Sequence, residues 1–200
     1  MTEGTPLSEK NPHVVRKGAE ETGGEFVQFE STMYPAQDAD GTGTHLPHER
    51  WGLDNDFEHV HPEQEEWWEV RTGKLRVAFD GDERTLTEGD DITLPAGVPH
   101  RHWNPTNEPI RVVWERRPAF RTEEWAESVF ALAQAGKTDD DGVPDVLQSV
   151  VILDKYSTEN PYFASVSIGV QKAAASLLSP LGRLAGYRAT HSRSDLNDYL

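Results

Sequence analysis

The chain has 200 residues and a formal net charge of −16 with neutral histidines, a length that fits one ordinary domain or one domain with an appendage. This negative charge argues against a nucleic-acid ligand, because binding to phosphates depends on cationic side chains. The absence of cysteine excludes disulfides, thiolate nucleophiles and sulfur-ligated metals. The first residues contain no apolar stretch typical of a secretory signal, so we expect a cytoplasmic, globular protein.

The acidic residues are spread along the chain, and lysine supplies only six of the 19 cationic side chains. Such a composition favours a halophilic protein, because a high-salt cytoplasm screens the repulsion between carboxylates. The alternative is an acidic protein without a special salt requirement. The charge is uneven: residues 1–160 carry 15 positive and 33 negative charges, a net of −18, whereas residues 161–200 carry four positive and two negative, a net of +2.

The first part of the chain has the pattern of a β protein. Residues 1–24 are polar and predict a flexible arm. From residue 25 to about 120, short β-type runs alternate with turn residues, which predicts a sandwich or barrel. Asp80 and Gly81 indicate a tight turn, and residues 37–55 predict a long surface loop. The predicted strands are Glu25–Thr32, Glu66–Thr72, Lys74–Phe79, Arg84–Thr87, Asp91–Leu94 and Ile110–Trp114.

Residues 121–200 have the apolar spacing of helices and predict a helical C-terminal extension. Thr122, followed by two acidic residues, indicates a helix start, and we expect further helices at about 144–155 and 168–186. The third helix has too few consecutive apolar residues to span a bilayer, which needs about 20. It is therefore either a buried packing helix or a helix that docks on a partner or a membrane surface.

Four histidines fall in two closely spaced pairs, His59 with His61 and His100 with His102. Side chains two residues apart in a strand point to the same side, so each pair can direct both imidazoles towards one point. The spacing of these residues therefore predicts two converging groups of imidazoles.

The strand after the first histidine pair carries acidic residues on both of its faces. Glu66 shares a face with Trp68 and Val70, whereas Glu65 lies on the opposite face with Trp67. The inside of a small barrel suits a single carboxylate among bulky apolar neighbours. This pattern favours Glu66 over Glu65 as the inward-facing ligand.

The histidine pairs belong to two longer motifs, His59-x-His61-x4-Glu66-x6-Gly73 and Gly89-x5-Pro95-x-Gly97-x2-His100-x3-Asn104. These motifs resemble the two signatures of the cupin superfamily, and residues 74–88 between them are close to the short spacing common in cupins. The first motif departs from its usual form at Leu53, where a glycine is expected. The resemblance covers about residues 26–117. It implies a jelly-roll β-barrel, so the expected fold is mainly β with a C-terminal α-helical extension.

The resemblance further implies that His59, His61, Glu66 and His100 bind one divalent transition metal, which is Fe, Mn, Ni or Zn. Three imidazoles and one carboxylate form a mixed nitrogen and oxygen donor set that suits such an ion. Four protein ligands leave one or two positions open at an octahedral ion, whereas a structural zinc site is more often closed and rich in cysteine. The alternative is that these histidines are ordinary polar residues at strand ends.

Two further residues beside the motifs are candidates for a role at the site. His102 shares a face with His100 if this segment is extended, and it is the candidate catalytic residue, a proton carrier or hydrogen-bonding neighbour of the metal site. It is otherwise a polar residue at the barrel mouth. Trp68, on the inward face, either lines a pocket or packs in the core.

The remaining polar candidates lie beside the predicted metal strand or in the predicted loop. Gln64 and Glu65 either steer a substrate or are simply solvated. His45 and His48 are bystanders unless the loop that contains them closes over the barrel mouth.

Fold alone does not determine function, so three hypotheses follow. The first is a metal-dependent enzyme, dioxygenase-like or an isomerase, that acts on a small oxygenated organic molecule. The second is a non-catalytic metallo-cupin that binds a small molecule, with its basic tail (residues 161–190) docking on a partner or a membrane surface. The third is a role of the tail in a homodimer, since cupins often pair through sheet edges and appended segments.

Overall fold

The computed structural model describes residues 12–35, 55–139 and 143–192. Within these ranges the chain forms ten strands and three helices. The strands are β1 (His13–Lys17), β2 (Val27–Met33), β3 (Asn55–Val60), β4 (Glu65–Thr72), β5 (Lys74–Phe79), β6 (Asp82–Thr87), β7 (Asp91–Leu94), β8 (His100–Trp103), β9 (Ile110–Arg117) and β10 (Tyr162–Phe163). The helices are α1 (Thr122–Gln134), α2 (Val146–Lys155) and α3 (Ile168–Leu184).

The strands form two five-stranded sheets in which neighbouring strands are antiparallel. The strand order is β1-β2-β9-β4-β7 in the first sheet and β10-β3-β8-β5-β6 in the second. Apolar side chains of both sheets belong to one buried cluster, so the two sheets enclose a common core. This is the expected jelly-roll barrel with a C-terminal helical extension.

Alternation along the central strands decides which side chains enter the barrel. In β9, Ile110, Val112 and Trp114 are at most 1% exposed. In β4, Trp68 and Val70 are buried in the same way. The alternation predicted for β4 is thus confirmed, and it directs Glu66 into the barrel.

The tight turn between β5 and β6 is also as predicted. Phe79 pairs with Asp82, and the two residues between them, Asp80 and Gly81, have φ values of 52° and 79°. Positive φ at both central residues is typical of the hairpin turn whose twist matches that of the flanking strands.

The structure corrects the prediction of a loose arm at residues 1–24. Within this segment, β1 pairs with β2 at the edge of the first sheet. His13 is buried and stacks on Phe130 of α1 at a ring-centroid distance of 3.9 Å, and Val14 is also buried. These contacts with distant parts of the chain order a strand that its own polar composition does not reveal. Residues 1–11 lie outside the described ranges.

The start of α1 differs in detail from the prediction. Arg121 occupies the N-cap position without a side-chain cap, and Thr122 is the first helical residue. The hydroxyl of Thr122 is buried and accepts a hydrogen bond from Gln64 Nε2 at 2.8 Å. It is therefore used to join the helix to the barrel. In α2, by contrast, the side chain of Asp145 caps the helix by accepting from the backbone N–H groups of two residues in the first turn.

The C-terminal extension adds a strand to the barrel as well as three helices. In β10, Tyr162 pairs with Val60 and Phe163 pairs with His59 of β3, so the extension borders the predicted metal ligands. The third helix is not the buried packing helix that was one of the two expectations, since only Ala175, Ser179 and Gly182 are buried. Among the described residues, no helix is long and apolar enough to cross a membrane.

Candidate metal centre

Four of the predicted site residues converge between the two sheets. His59 near the end of β3 pairs with His100 at the start of β8, and His61 follows β3 directly. Glu66 reaches the same point from β4 of the other sheet. One ligand atom of each residue lies within 4.8 Å of the others, so the grouping predicted from sequence is found in the structure.

The four side chains are excluded from water, with exposures of 1% or less. The ring of His59 lies 4.5 Å from that of His100 and 5.2 Å from that of His61 between centroids. The carboxylate of Glu66 faces these rings: Oε1 is 3.2 Å from His61 Nε2, and Oε2 is 3.3 Å from His100 Nε2. The cluster therefore has a shared centre inside the barrel.

The other residues of the two motifs hold the backbone around this centre. Gly97, with φ of 77°, donates its N–H to the carbonyl of His61 at 2.8 Å, which joins the Pro-x-Gly turn to the first histidine pair. Asn104 donates to the carbonyls of Met33 and Glu108 at 3.2 and 2.8 Å, so it fixes the segment after β8. The motif spacing thus reflects backbone support as well as ligands.

The tautomer of His100 follows from its surroundings. Its Nδ1 lies 2.9 Å from the carbonyl oxygen of Val98, and a carbonyl can only accept, so Nδ1 carries the proton. In the neutral ring, Nε2 then presents a lone pair towards the Glu66 carboxylate. Two acceptors that face each other need a cation or a proton between them, and a ligand histidine is commonly oriented by such a bond from its other nitrogen.

His61 is held in the neutral form that binds metals. Burial, followed by the charge of Arg116, lowers the pKa of its imidazole well below the usual value, although the Glu66 carboxylate opposes the shift. Its Nδ1 has no hydrogen-bond partner in the described part of the chain. A buried polar atom of this kind is costly unless another group satisfies it.

Glu66 is held in the anionic form. Burial raises the pKa of its carboxyl group, but the charge of Arg116 outweighs this effect and leaves the pKa well below the usual value. Arg116 Nε donates to Oε1 at 2.8 Å, and Trp68 Nε1 donates to Oε2 at 3.2 Å. The carboxylate is thus fixed in position and available as a charged ligand.

Taken together, these residues fit a divalent transition metal. Three imidazoles and one carboxylate form the donor set, and the lone pairs of His61 and His100 converge on an anion in a site excluded from water. Such a set suits Fe, Mn, Ni or Zn. Because Arg116 already balances the charge of Glu66, a bound divalent ion would leave the centre positive and attractive to an oxygen anion.

His102 lies beside the cluster without being one of its four ligands. Its ring packs against Trp68 at 4.2 Å between centroids and lies 5.7 Å from the ring of His59. Both His102 and Trp68 are 1% exposed. His102 thus lies on the same face of β8 as His100, beside the predicted ligands, and its catalytic role stays a prediction. Trp68 both packs in the core and adjoins the site.

The remaining polar candidates from the sequence lie in different environments. Gln64 is not solvated: it is 1% exposed, and its Nε2 donates to the Pro118 carbonyl at 2.7 Å. Glu65 lies on the outward face of β4 and is partly exposed. His45 and His48 lie outside the described residues.

Sequence reasoning missed Arg116, which is 2% exposed and pairs with Glu66. Its Nη1 donates to the carbonyl of Glu159 at 2.7 Å, and its guanidinium lies 4.6 Å from the ring of Trp125. The signal was present in β9, where residues two apart from Ile110 onwards point inwards and the last of them is Arg116. A cation on the inner face of a barrel indicates an anion opposite.

Comparison with known proteins agrees with the motifs. A family model described as a cupin domain matches residues 52–114, and no curated protein matches the chain. Similar solved structures include a Klebsiella pneumoniae protein with a double-stranded β-helix domain (20% identity, covering 58% of this chain and 84% of that one, TM-score 0.39). Another is a Cupin 2 conserved barrel domain protein from Salinispora arenicola (18% identity, 58% and 89%, TM-score 0.41). Residues 52–114 of this chain therefore match a cupin domain, in agreement with the two motifs that they contain.

Proposed function

We propose that the protein binds one divalent transition metal through His59, His61, Glu66 and His100 and acts as a metal-dependent, dioxygenase-like enzyme on a small oxygenated organic molecule. The observation that carries the metal site is the convergence of four ligand atoms within 4.8 Å in a buried centre. These four residues would hold the ion, and a bound divalent metal would supply a Lewis acid for a chelating substrate and for O₂.

The residues around the proposed metal have different tasks: some orient the ligands, and one moves a proton. His100, oriented by the Val98 carbonyl, and Glu66, oriented by Arg116, keep the ligand atoms in place. The residual positive charge of the centre favours a substrate that presents an anionic oxygen, such as a deprotonated diol or a β-diketone enolate. His102 is the nearby titratable group outside the ligand set, and we assign it the movement of a substrate proton.

Elemental analysis of the full chain purified without chelator tests the metal site. Wild type is expected to contain about one equivalent of metal, and Glu66→Gln and His61→Ala should lose it. Glu65→Gln is the matched control, because this neighbouring carboxylate lies on the outward face of the same strand. Equal metal content in all four proteins would refute the assignment of the ligands.

Oxygen consumption tests the catalytic part. Protein loaded with Fe(II), Mn(II) or Ni(II) is mixed with a panel of small diols and β-diketones in an oxygen electrode, with Glu66→Gln as the control. Oxygen uptake that requires a panel compound and is lost in Glu66→Gln supports the enzymatic function. Stoichiometric metal with saturable binding of a panel compound, but no turnover, would instead establish the non-catalytic metallo-cupin.

A further inference from the structure

Helix α3 exposes its large apolar side chains instead of burying them. Its buried residues are small, namely Ala175, Ser179 and Gly182, whereas Leu177 is 76% and Leu184 85% exposed. A surface helix in water normally buries its large apolar residues against the protein. The outward face of α3 therefore has the composition of a contact surface.

The exposed apolar residues of α3 form a stripe with a seven-residue repeat. At 100° per residue, five of them fall within a sector of about 80° on the side opposite the buried residues. A spacing of seven residues is typical of a helix that packs lengthwise against another helix. The α3 stripe consists of Val170, Ala173, Leu177, Leu181 and Leu184.

The order of residues in the stripe is symmetrical about Leu177. Val170 precedes Leu177 by seven residues and Leu184 follows it by seven, and Ala173 and Leu181 are each four residues away. In an antiparallel pair of α3 helices with a two-fold axis at Leu177, Leu181 of one copy therefore faces the small Ala173 of the other. Large residues opposite small ones allow two helices to pack closely, and a two-fold dimer requires a patch that fits itself.

No charged side chain lies within the α3 stripe. Residues 161–192 contain no Asp or Glu, and the two cations of α3 lie on its other side. Lys172 Nζ is 5.6 Å from the ring centroid of Tyr162, and Arg183 pairs with Asp154 of α2 at 2.8 Å. The stripe is thus a neutral surface on an acidic chain, and two copies that meet there bring no like charges into direct contact.

We propose that the protein forms a reversible homodimer in which two α3 stripes pack antiparallel about Leu177. The 17 residues of α3 give a contact about 25 Å long. This contact is smaller than the interfaces of permanent dimers, so the dimer should exchange with monomer in the micromolar range.

The overall charge gives this dimer a distinctive response to salt. A net charge of −16 on each copy opposes association from a distance. Salt reduces the range of this repulsion from about 8 Å at physiological ionic strength to about 3 Å at 1 M. The dimer should therefore tighten as KCl is added.

Sedimentation equilibrium of the full chain tests the proposal. Leu177 faces its own copy across the axis, so Leu177→Glu and Leu177→Lys should each weaken the dimer about a hundredfold or more, because two like charges are brought together. An equimolar mixture of the two variants should associate again, since a carboxylate then faces an ammonium group. Val146→Glu is the matched control: Val146 is 70% exposed but lies outside α3, and its replacement should leave the dimer unchanged.

A second pair of variants tests the register of the two helices. Ala173→Leu should weaken the dimer about tenfold or more, because it places a leucine against Leu181 of the other copy. Adding Leu181→Ala exchanges the large and small residues and should restore the dimer. Equal dissociation constants for the single and the double variant would refute the antiparallel register.

Three other results would overturn the proposal. The first is a wild-type protein that stays monomeric in both low and molar KCl, because the stripe would then have another occupant, such as a lipid surface or a different protein. The second is a dimer that Leu177→Glu leaves intact, and the third is a mixture of the two Leu177 variants that does not associate. Circular dichroism establishes that the compared proteins are folded.

Discussion

The guanidinium of Arg116 lies against the carboxylate of Glu66, with Nε 2.8 Å from Oε1, and both side chains are at most 2% exposed. Arg116 reaches the backbone of Glu159 with its Nη1 at 2.7 Å. One buried cation thus connects a candidate metal ligand with the C-terminal extension. The extension therefore helps to hold Arg116 against the carboxylate of Glu66.

The stability of Arg116→Met should show whether Arg116 balances the charge of Glu66. Arg116→Met leaves a buried carboxylate without its cation, a change that typically costs about 3–5 kcal/mol in the free energy of unfolding. A bound divalent ion can take over part of this compensation. We therefore expect urea denaturation to show a large loss of stability in metal-free protein and a greater metal-dependent gain than in wild type.

Arg117→Met is the control for this experiment. Arg117 is the next residue on the same strand, and its side chain is 38% exposed although its partner Glu115 is 6% exposed. Glu115 also accepts a hydrogen bond from Gln28 Nε2 at 2.6 Å, and water reaches the Arg117 side of the pair, so the loss of Arg117 should cost less than the loss of Arg116. If the two variants lose equal stability, or if metal stabilises Arg116→Met no more than wild type, the charge balance described here is wrong.

Replacement of His102 separates a proton-transfer role from metal binding. His102→Asn keeps a polar side chain beside Trp68 but cannot titrate near neutral pH. Because His102 is outside the group of four ligands, metal content by elemental analysis should remain at the wild-type level. Turnover should fall about a hundredfold or more if His102 moves the substrate proton. Loss of the metal would make His102 a ligand, and unchanged turnover would remove it from the mechanism.

The metal cluster could be predicted from the sequence because it depends on local periodicity. Alternation in β4 distinguished Glu66 from Glu65, and the spacing of the two motifs brought His100 towards His59 and His61. The burial of all four side chains confirms that interpretation. Where a strand has a defined inner face, the odd or even position of a residue along the strand decides whether its side chain points into the barrel or out of it.

What the sequence did not predict depends on contacts between distant parts of the chain. Arg116 and Glu159 are 43 residues apart, and β10 pairs with β3 although about 100 residues separate them. The sequence left open whether α3 is buried or exposed, as Leu177 is, for a related reason. Apolar composition predicts that a side chain requires cover, but it does not specify which surface provides that cover.

Gly73, the last residue of the first motif, should be intolerant of a side chain. Its φ is 86°, and a Cβ would lie 2.3 Å from Ile110 Cγ2. Gly73→Ala should therefore lower the free energy of unfolding by about 1–3 kcal/mol through crowding and by about 1–2 kcal/mol through the strained backbone. Gly81→Ala is the control, since Gly81 has a φ of 79° but nothing within 4 Å. Equal midpoints in urea for the two variants would contradict this close approach.

The charge composition predicts that salt stabilises the fold. At a net charge of −16, repulsion between carboxylates opposes the compact state, and molar salt shortens the Debye length to about 3 Å. The Tm measured by calorimetry should rise from low to molar KCl, and most of the gain should be absent when sucrose replaces the salt. A Tm that does not depend on KCl would identify an acidic protein without a halophilic requirement.

The packing of α3 on α2 should depend on the absence of a side chain at Gly182. A Cβ at this position would lie 2.6 Å from Val151 Cγ2 and 3.0 Å from the carbonyl of Leu147, so Gly182→Ala must displace one helix. We expect a loss of about 1–3 kcal/mol in the free energy of unfolding. Gly169→Ala, in the first turn of the same helix with nothing within 4 Å, should instead be neutral or gain up to about 1 kcal/mol through helix propensity. Urea denaturation distinguishes the two variants, and a stabilised Gly182→Ala would mean that the two helices are not in close contact.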